Sequence, residues 1–337
     1  MKPKKILSAA VVILWAVLGV ATLWAVAALC IDGRIGWLRL PLAALYALAI
    51  LAVWVFVRQP WKFIFTFAGF AAVLAWWFSL RPTNVADWQP DVTVLPYADI
   101  AGNQIVLHNI RNCDYRTEMD YTVRHYDKSF DLAALRSVDL YLVTWGSPDI
   151  AHTMVSFGFT NGDEVCFSIE TRKQVGQTYS AVKGLFRQFT LTYVIADERD
   201  LVRLRTNYRK DESVCLYRLQ VTPAQGQKLF LEYLRRADEL RDQPVWYNAI
   251  TDNCTTGIRA QRAAADRAPW NWRMLLNGHL DELLYERGTI VTNLPFAELK
   301  KISNINARAK AAGDAADFSQ QIRQGLPGFG PAPATVH

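Results

Sequence analysis

The sequence predicts an α+β protein: three apolar helices at the start, then a large domain that mixes strands and helices. Three observations carry this. Ile6–Cys30, Leu40–Val57 and Phe63–Leu80 are almost free of charge, and each is long enough to cross the hydrocarbon core as a helix. Apolar and polar residues alternate on both sides of Thr160-Asn161-Gly162-Asp163, the pattern of a hairpin. Thr222-Pro223 with Gln225 starts a helix, since Thr caps, Pro fits the first turn and Gln closes a capping box.

The 337 residues divide into a membrane anchor over 1–80, a polar linker over 81–91, a folded domain over 92–325 and a Gly- and Pro-rich disordered tail over 326–337. Trp54, Trp61, Trp76 and Trp77 lie near the ends of the apolar runs, where amphipathic rings favour the headgroup layer. The first run is too long for a cleaved signal peptide, and two more follow it at once. Leu29 before Cys30 is too large for a lipidation signal. Lys2, Lys4 and Lys5 favour a cytoplasmic N-terminus, against Arg34 and Arg39 in the opposite loop. Three crossings then place the domain in the periplasm of a bacterial inner membrane.

The sequence pI near 9.0 comes from the membrane flanks. Residues 1–80 hold seven basic residues and Asp32 alone, and the rest of the chain holds 30 of each sign. A neutral domain gives no electrostatic footprint for DNA or RNA, so no nucleic-acid partner is expected.

Along the domain, Val92–Ile110 reads as a hairpin about Ala101-Gly102-Asn103, and the charge-dense Asn112–Phe130 as a surface wrap. Val138–Val143 is a strand, and Ile150–Phe159 with Glu164–Glu170 is the clearest hairpin. Ser180–Gln188 reads as a helix, Phe189–Ile195 as a strand, Glu198–Arg209 as a basic amphipathic helix and Ser213–Val221 as a strand. Helices follow from Pro223 to about Arg241, from near Cys254, over Trp272–Arg287 and over Phe296–Ala312.

No nucleophile elbow, Walker loop, dinucleotide fingerprint, H-E-x-x-H or C-x-x-C is present, so neither a metal nor a cofactor is called for. Four cysteines outside the anchor allow two disulfides, one, or none. His152, on a strand, and Cys254, at a helix start beside Asn253, form the one nucleophile–base candidate. A cysteine in a first helical turn faces unpaired N–H groups and the positive end of the dipole, and both favour thiolate. The plainer alternative is packing or half a disulfide for Cys254, and a hydrogen-bonded strand residue for His152.

The third member depends on the hairpin register. With a two-residue loop, His152 pairs near Thr171 and Glu170 faces the other side. With three, Glu170 pairs with Met154 and shares the face of His152. Glu170 and Ser168 are thus candidates, against a surface ion pair of Glu170 with Arg172 or Lys173. Arg203, Arg205 and Arg209 can bind phosphate or carboxylate, or lie on a solvated helix face. Trp270 and Trp272 suit the core better than an acyl groove or a place in the bilayer, and Glu118 and Asp120 suit surface pairs.

A strand histidine, its hairpin partner and then Asn-Cys at a helix start resemble the circularly permuted NlpC/P60-type papain-like fold, as in lecithin:retinol acyltransferases, with a small antiparallel sheet. More specifically, Asp114-Tyr115-Arg116-Thr117-Glu118, Ala151–Phe159, Ile169–Arg172, Thr206–Arg209 and Asp252–Thr256, in that order, resemble the bacterial DUF4105 family. That family is named for the N-terminal periplasmic domain of the Bacteroides lipoprotein N-acyltransferase (Lnb). The likeness spans most of residues 85–325. It implies a thiol acyltransferase or hydrolase acting on a membrane lipid or lipoprotein. Cys254, His152 and Glu170 would be catalytic, and Arg205, Arg209 and Asn253 would contact substrate. The chain departs from the named acyltransferase in its membrane part, where three helices come first. A cell-wall peptidase or amidase and a non-enzymatic envelope protein are the other two classes.

Overall fold

A computed structural model describes residues 3–251, 269–274 and 276–330. Three apolar helices near the N-terminus accompany a sheet-rich domain of mixed α and β structure. The helices are α1 (Pro3–Asp32), α2 (Arg39–Phe56) and α3 (Trp61–Ser79), each long and apolar enough to cross a membrane. Val20, Leu23, Leu45 and Phe67 are more than 60% exposed on them, as lipid-facing side chains should be. Between the helices, Trp54 Nε1 donates to Thr66 Oγ1 at 3.0 Å, and the Trp15 ring centre lies 4.7 Å from that of Trp54.

The chain forms two compact units. The first holds Met1–Thr83 together with Tyr179–Phe189, and the second holds the rest. The segment expected as the helix Ser180–Gln188 therefore belongs with α1–α3. It contains only a short 3-10 turn, Lys183–Leu185, because Gly184 interrupts it and Arg187 and Gln188 turn to carbonyls at the helix ends.

In the second unit the strands are β1 (Tyr97–Ala101), β2 (Gln104–Arg111), β3 (Asp114–Tyr115), β4 (Tyr121–Thr122), β5 (His125–Asp131), β6 (Leu135–Trp145), β7 (Ser147–Phe159), β8 (Glu164–Arg172), β9 (Thr190–Ala196) and β10 (Glu212–Arg218). Eight of them form one sheet in the order β1-β2-β9-β8-β7-β6-β10, with β5 on β2, so the sheet is larger than the small one expected. All its ladders are antiparallel except the single β2–β9 bridge. The expected surface wrap 112–130 instead supplies β3, β4 and most of β5. Its charges alternate with residues that point inward, such as Tyr115 and Phe130.

One face of the sheet packs on α5 (Pro223–Asp242), which starts with the expected Thr222–Gln225 capping box. Phe230 meets Phe157, Phe159 and Phe167 with ring centres 5.0–5.7 Å apart, edge to face, an arrangement worth more than area alone. Gly226 allows this closeness, since a Cβ there would lie 2.8 Å from Leu135 Cδ2.

The opposite face carries Tyr141, Val143, Met154, Cys166, Val194 and Leu216. Helix α4 (Glu198–Arg203) covers it together with C-terminal residues such as Ile305, Ala309 and Phe318. Helix α4 runs on into a π-turn, Leu204–Tyr208. The expected basic solvated face is in fact buried: Arg203 and Arg205 are each 5% exposed, Arg205 paired with Glu170 and Glu212 and Arg203 reaching the Arg199 carbonyl and the surface Asp314. The expected helix Phe296–Ala312 breaks at Asn304–Ile305, where the chain adds to the edge of β10. Ile305 N donates to Val214 O at 2.9 Å, and Val214 N to Asn306 Oδ1 at 2.8 Å.

Both ends of the domain extend past their expected limits. Trp88, in the expected linker, is buried under the Arg172 guanidinium at 4.4 Å. Leu326, in the expected disordered tail, is buried in the core.

Candidate active site

The site begins with hairpin register. Gly162 takes φ +89° and donates to Phe159 O, so the β7–β8 loop has three residues, Thr160–Gly162. Asn161-Gly162 is thus not the two-residue turn its dipeptide favours. The glycine alone occupies the left-handed position. Met154 pairs with Ser168, two residues away from the pairing expected for Glu170. The β7–β8 ladder ends there, while β7 continues on β6 through His152↔Val143 and β8 continues on β9 through Glu170↔Thr192. One period further out, His152 and Glu170 stand opposite each other on the same face, beyond the last rung of the β7–β8 ladder.

Their side chains meet through Ser168. His152 Nε2 lies 2.6 Å from Ser168 Oγ, Ser168 Oγ donates to Glu170 Oε1 at 2.6 Å, and His152 Nε2 is 3.2 Å from the same oxygen. Because the serine proton goes to the carboxylate, the serine oxygen accepts from the ring. The ring therefore carries a hydrogen on Nε2. Ser168 is fully buried and His152 is 8% exposed.

Arg205, from the π-turn, donates to Glu170 Oε1 at 3.0 Å and reaches Glu212 of β10 at 3.4 Å. Arg209 bonds Glu212 at 3.3 Å and pairs with Glu118 at 3.2 Å. Burial raises the pKa of Glu170, but the imidazole, Arg205 and the Ser168 hydroxyl overcome it and hold the carboxyl well below its usual range. The result is a row of three carboxylates, two guanidiniums and one imidazole, drawn from five places in the chain. The π-turn inserts a residue into the helix at Arg205's position, a distortion often found at functional sites.

Where β8 leaves β7, a different segment supports it. Ala151 N donates to Asn277 Oδ1 at 2.8 Å, and His279 Nε2 lies 2.7 Å from Asp149 Oδ1. Gly278 fits against β7 because it lacks a Cβ, which would lie 1.9 Å from Pro148 O. The expected helix Trp272–Arg287 is therefore broken into short turns and Leu280–Glu286. Sequence reasoning passed over Asn277 and Gly278 and read His279 as one polar residue of a helix. The Asn-Gly pair within that span is the turn signal that could have found them.

Of the other expected site residues, Glu118 joins the row and Asp120 pairs with Arg116 on the surface. Arg203 donates to Arg199 O and pairs with Asp314. Trp270 and Trp272 are 59% and 49% exposed, so they do not pack in the core. Within Asp114–Glu118, Tyr115 hydroxyl donates to Asp200, which Arg111 grips through two nitrogens at 2.7 and 2.9 Å. Cys113, Cys166 and Cys215 are free and buried. Cys254 and Asn253 lie outside the described residues.

Residues 121–278 match the family model of the Lnb N-terminal periplasmic domain. The matched stretch holds His152, Ser168, Glu170, Arg205, Arg209, Glu212, Cys254 and Asn277. No curated protein and no solved structure matches the chain. The match and the three apolar helices together fit a membrane-anchored protein.

Proposed function

We propose that this protein is a thiol acyltransferase or hydrolase of the bacterial envelope. Three spans of the inner membrane anchor it, and its domain is periplasmic. The observation that carries the reading is the His152–Ser168–Glu170 relay, which holds a buried imidazole against a carboxylate through its Nε2 edge. Cys254 and Asn253 enter from the sequence alone. The order histidine, then cysteine, is that of the permuted NlpC/P60 papain-like arrangement, and the match over residues 121–278 to the Lnb N-terminal periplasmic domain supports a periplasmic, membrane-associated place.

In the reaction proposed, His152 takes the Cys254 thiol proton, and the thiolate attacks an ester carbonyl of a membrane lipid. The C–O bond breaks, and the imidazolium returns its proton to the leaving alcohol. The thioester then passes its acyl group to a lipoprotein amine or to water. Glu170, fixed by Arg205, stabilises the imidazolium between the two proton transfers. Arg205 is a positioning residue in this scheme, since its guanidinium is 5% exposed and already divided between two carboxylates. Arg209, 28% exposed, can meet a substrate anion by exchanging Glu118. Anchoring matters because an acyl chain costs about 0.8 kcal/mol per CH₂ to bring into water.

Phospholipid with an alkyne-tagged acyl chain, supplied in nanodiscs, tests the chemistry. Wild type should acquire a hydroxylamine-labile tag that Cys254→Ala lacks, and His152→Ala should form it on the order of 10²–10⁴ slower. Tagging of both variants at the wild-type rate would overturn the thioester mechanism. A phosphatase fused after residue 330 should be active, as only a periplasmic C-terminus allows.

A further inference from the structure

The segment Tyr179–Phe189 forms one compact unit with the stretch that holds the three apolar helices. Its contacts place it at one end of them. Gln188 Nε2 donates to Ile31 O at 2.8 Å and to Asp32 Oδ1 at 2.7 Å, where α1 ends. Asp32, 5% exposed, also accepts from Trp77 Nε1 at 2.7 Å. Arg187 bonds Leu80 O at 2.5 Å, just past the end of α3, and its guanidinium lies 4.1 Å from the Trp77 ring centre. Phe186 stacks on Trp24 at 6.4 Å. The C-terminal ends of α1 and α3 are thus tied together by one strap, and a cation sits where the helix dipole favours it.

The strap's remaining side chains have the wrong chemistry for water. Tyr179, Val182 and Leu185 are 47%, 60% and 39% exposed, while Phe186 and Phe189 are buried. Lys183 stands among them, long enough to hold its ammonium at headgroup level while its stem lies along apolar surface. Trp76, Trp77 and Phe78 at the same end of α3 form the aromatic belt that marks a membrane–water boundary. Continuity with three membrane-crossing helices says what covers these exposed side chains.

We propose that residues 179–189 are an interfacial strap. Tyr179, Val182 and Leu185 insert into the headgroup–acyl boundary of the phospholipid layer that surrounds the C-terminal ends of α1 and α3. The strap is also the whole end of the connection from β8, which carries Ser168 and Glu170, to β9. The inference does not depend on the thiol chemistry.

The test uses the full chain in phospholipid nanodiscs. Val182→benzoylphenylalanine and Leu185→benzoylphenylalanine should give phospholipid adducts on illumination, at least fivefold above the same substitution at Met119. Met119 is 86% exposed in the β3–β4 turn and serves as the aqueous control. As a check without substitutions, phospholipid carrying a diazirine near its glycerol should label the 179–189 peptide of wild type. Adduct yields at 182 and 185 no higher than at 119 would overturn the proposal. So would crosslinks to a second protein copy in place of lipid, or a strap peptide left unlabelled while α1–α3 are labelled. Both readouts need no turnover, so an inactive Cys254→Ala chain should behave as wild type does.

Discussion

The same face of the same sheet carries two charged networks of equal make-up, one at each end. At the His152 end, Glu118, Glu170 and Glu212 stand against Arg205 and Arg209. At the other end, Asp139, Glu164 and Glu198 stand against Arg218 and Arg323. Each is one positive charge short, and they make up the shortfall differently. The second network is sealed, with all three carboxylate side chains at most 5% exposed. Burial, with Glu198 and Asp139 adding to it against Arg323, pushes Glu164 up to about 8, so a proton on Glu164 fills the gap. The first network is partly open, Glu170 at 26% and Glu118 at 47% exposed, and there the His152 imidazole lies 3.2 Å from Glu170. A sealed proton can only hold a fold together. In the proposed reaction, the imidazole at the other end is the group that would pass a proton to and from substrate.

Removing one arginine from each end tests this contrast most strongly. Arg323→Met leaves three buried carboxylates short of a partner and should cost about 3–5 kcal/mol, read as loss of the near-ultraviolet circular dichroism transition. Arg205→Met should cost clearly less, because Glu170 can turn to water. Equal costs would break the comparison.

The sealed end should also betray itself through pH. The folded pKa of Glu164 lies above its unfolded value near 4.5, so the folded state binds the extra proton between that value and about 8. Stability from this group is complete below pH 4.5 and is lost as pH rises toward 8. Glu164→Gln, which mimics the protonated acid, should therefore flatten the fall in melting temperature from pH 5 to 8.5. The gain at the alkaline end should be roughly 2–4 kcal/mol. An unchanged slope would mean that the missing charge is supplied elsewhere.

Gly278→Ala sharpens the open end. A Cβ 1.9 Å from Pro148 O must push the supporting turn off β7, at about 1–3 kcal/mol. Acyl-tag formation should fall with it, because Ala151 would lose Asn277. A variant of full stability and full labelling would show that the turn does not hold the histidine strand.

Smaller still is the effect of Glu170→Gln on thiol reactivity. Iodoacetamide should alkylate Cys254 about tenfold more slowly once the imidazole loses its carboxylate, since thiolate rather than thiol is the reactive species. The internal controls should show no change. Burial pushes the Cys113 thiol up to about 12 and Cys215 to about 11, and holds Cys166 well above its usual value. All three should stay unlabelled in the folded chain.

Sequence reading reached whatever is encoded locally. The apolar runs, the Gly102 and Gly162 hairpins and the Thr222–Gln225 box each depend on neighbours within a few residues. It failed where distant partners decide. Arg205 looks like part of a solvated helix face in sequence and becomes internal because Glu170 and Glu212 reach it from other elements. The break at Asn304–Ile305 exists because an edge strand needed covering, which no local pattern states. His152 could be singled out because histidine is scarce. Its alignment with Glu170 turned on whether a loop has two residues or three, a choice that flips every side chain of a strand.

Arg323 sets an order of events as well as a balance of charge. A chain is made from its N-terminus, and segments begin to fold as they emerge. Asp139 precedes Arg323 by 184 residues and Glu198 precedes it by 125, so the sheet and α4 are complete long before their cation exists. Until the last turn of chain is delivered, one end of the sheet holds carboxylates that cannot be closed over. The domain therefore matures at its C-terminus, and a nascent chain halted before residue 323 should stay open at that end, within reach of chaperones and proteases.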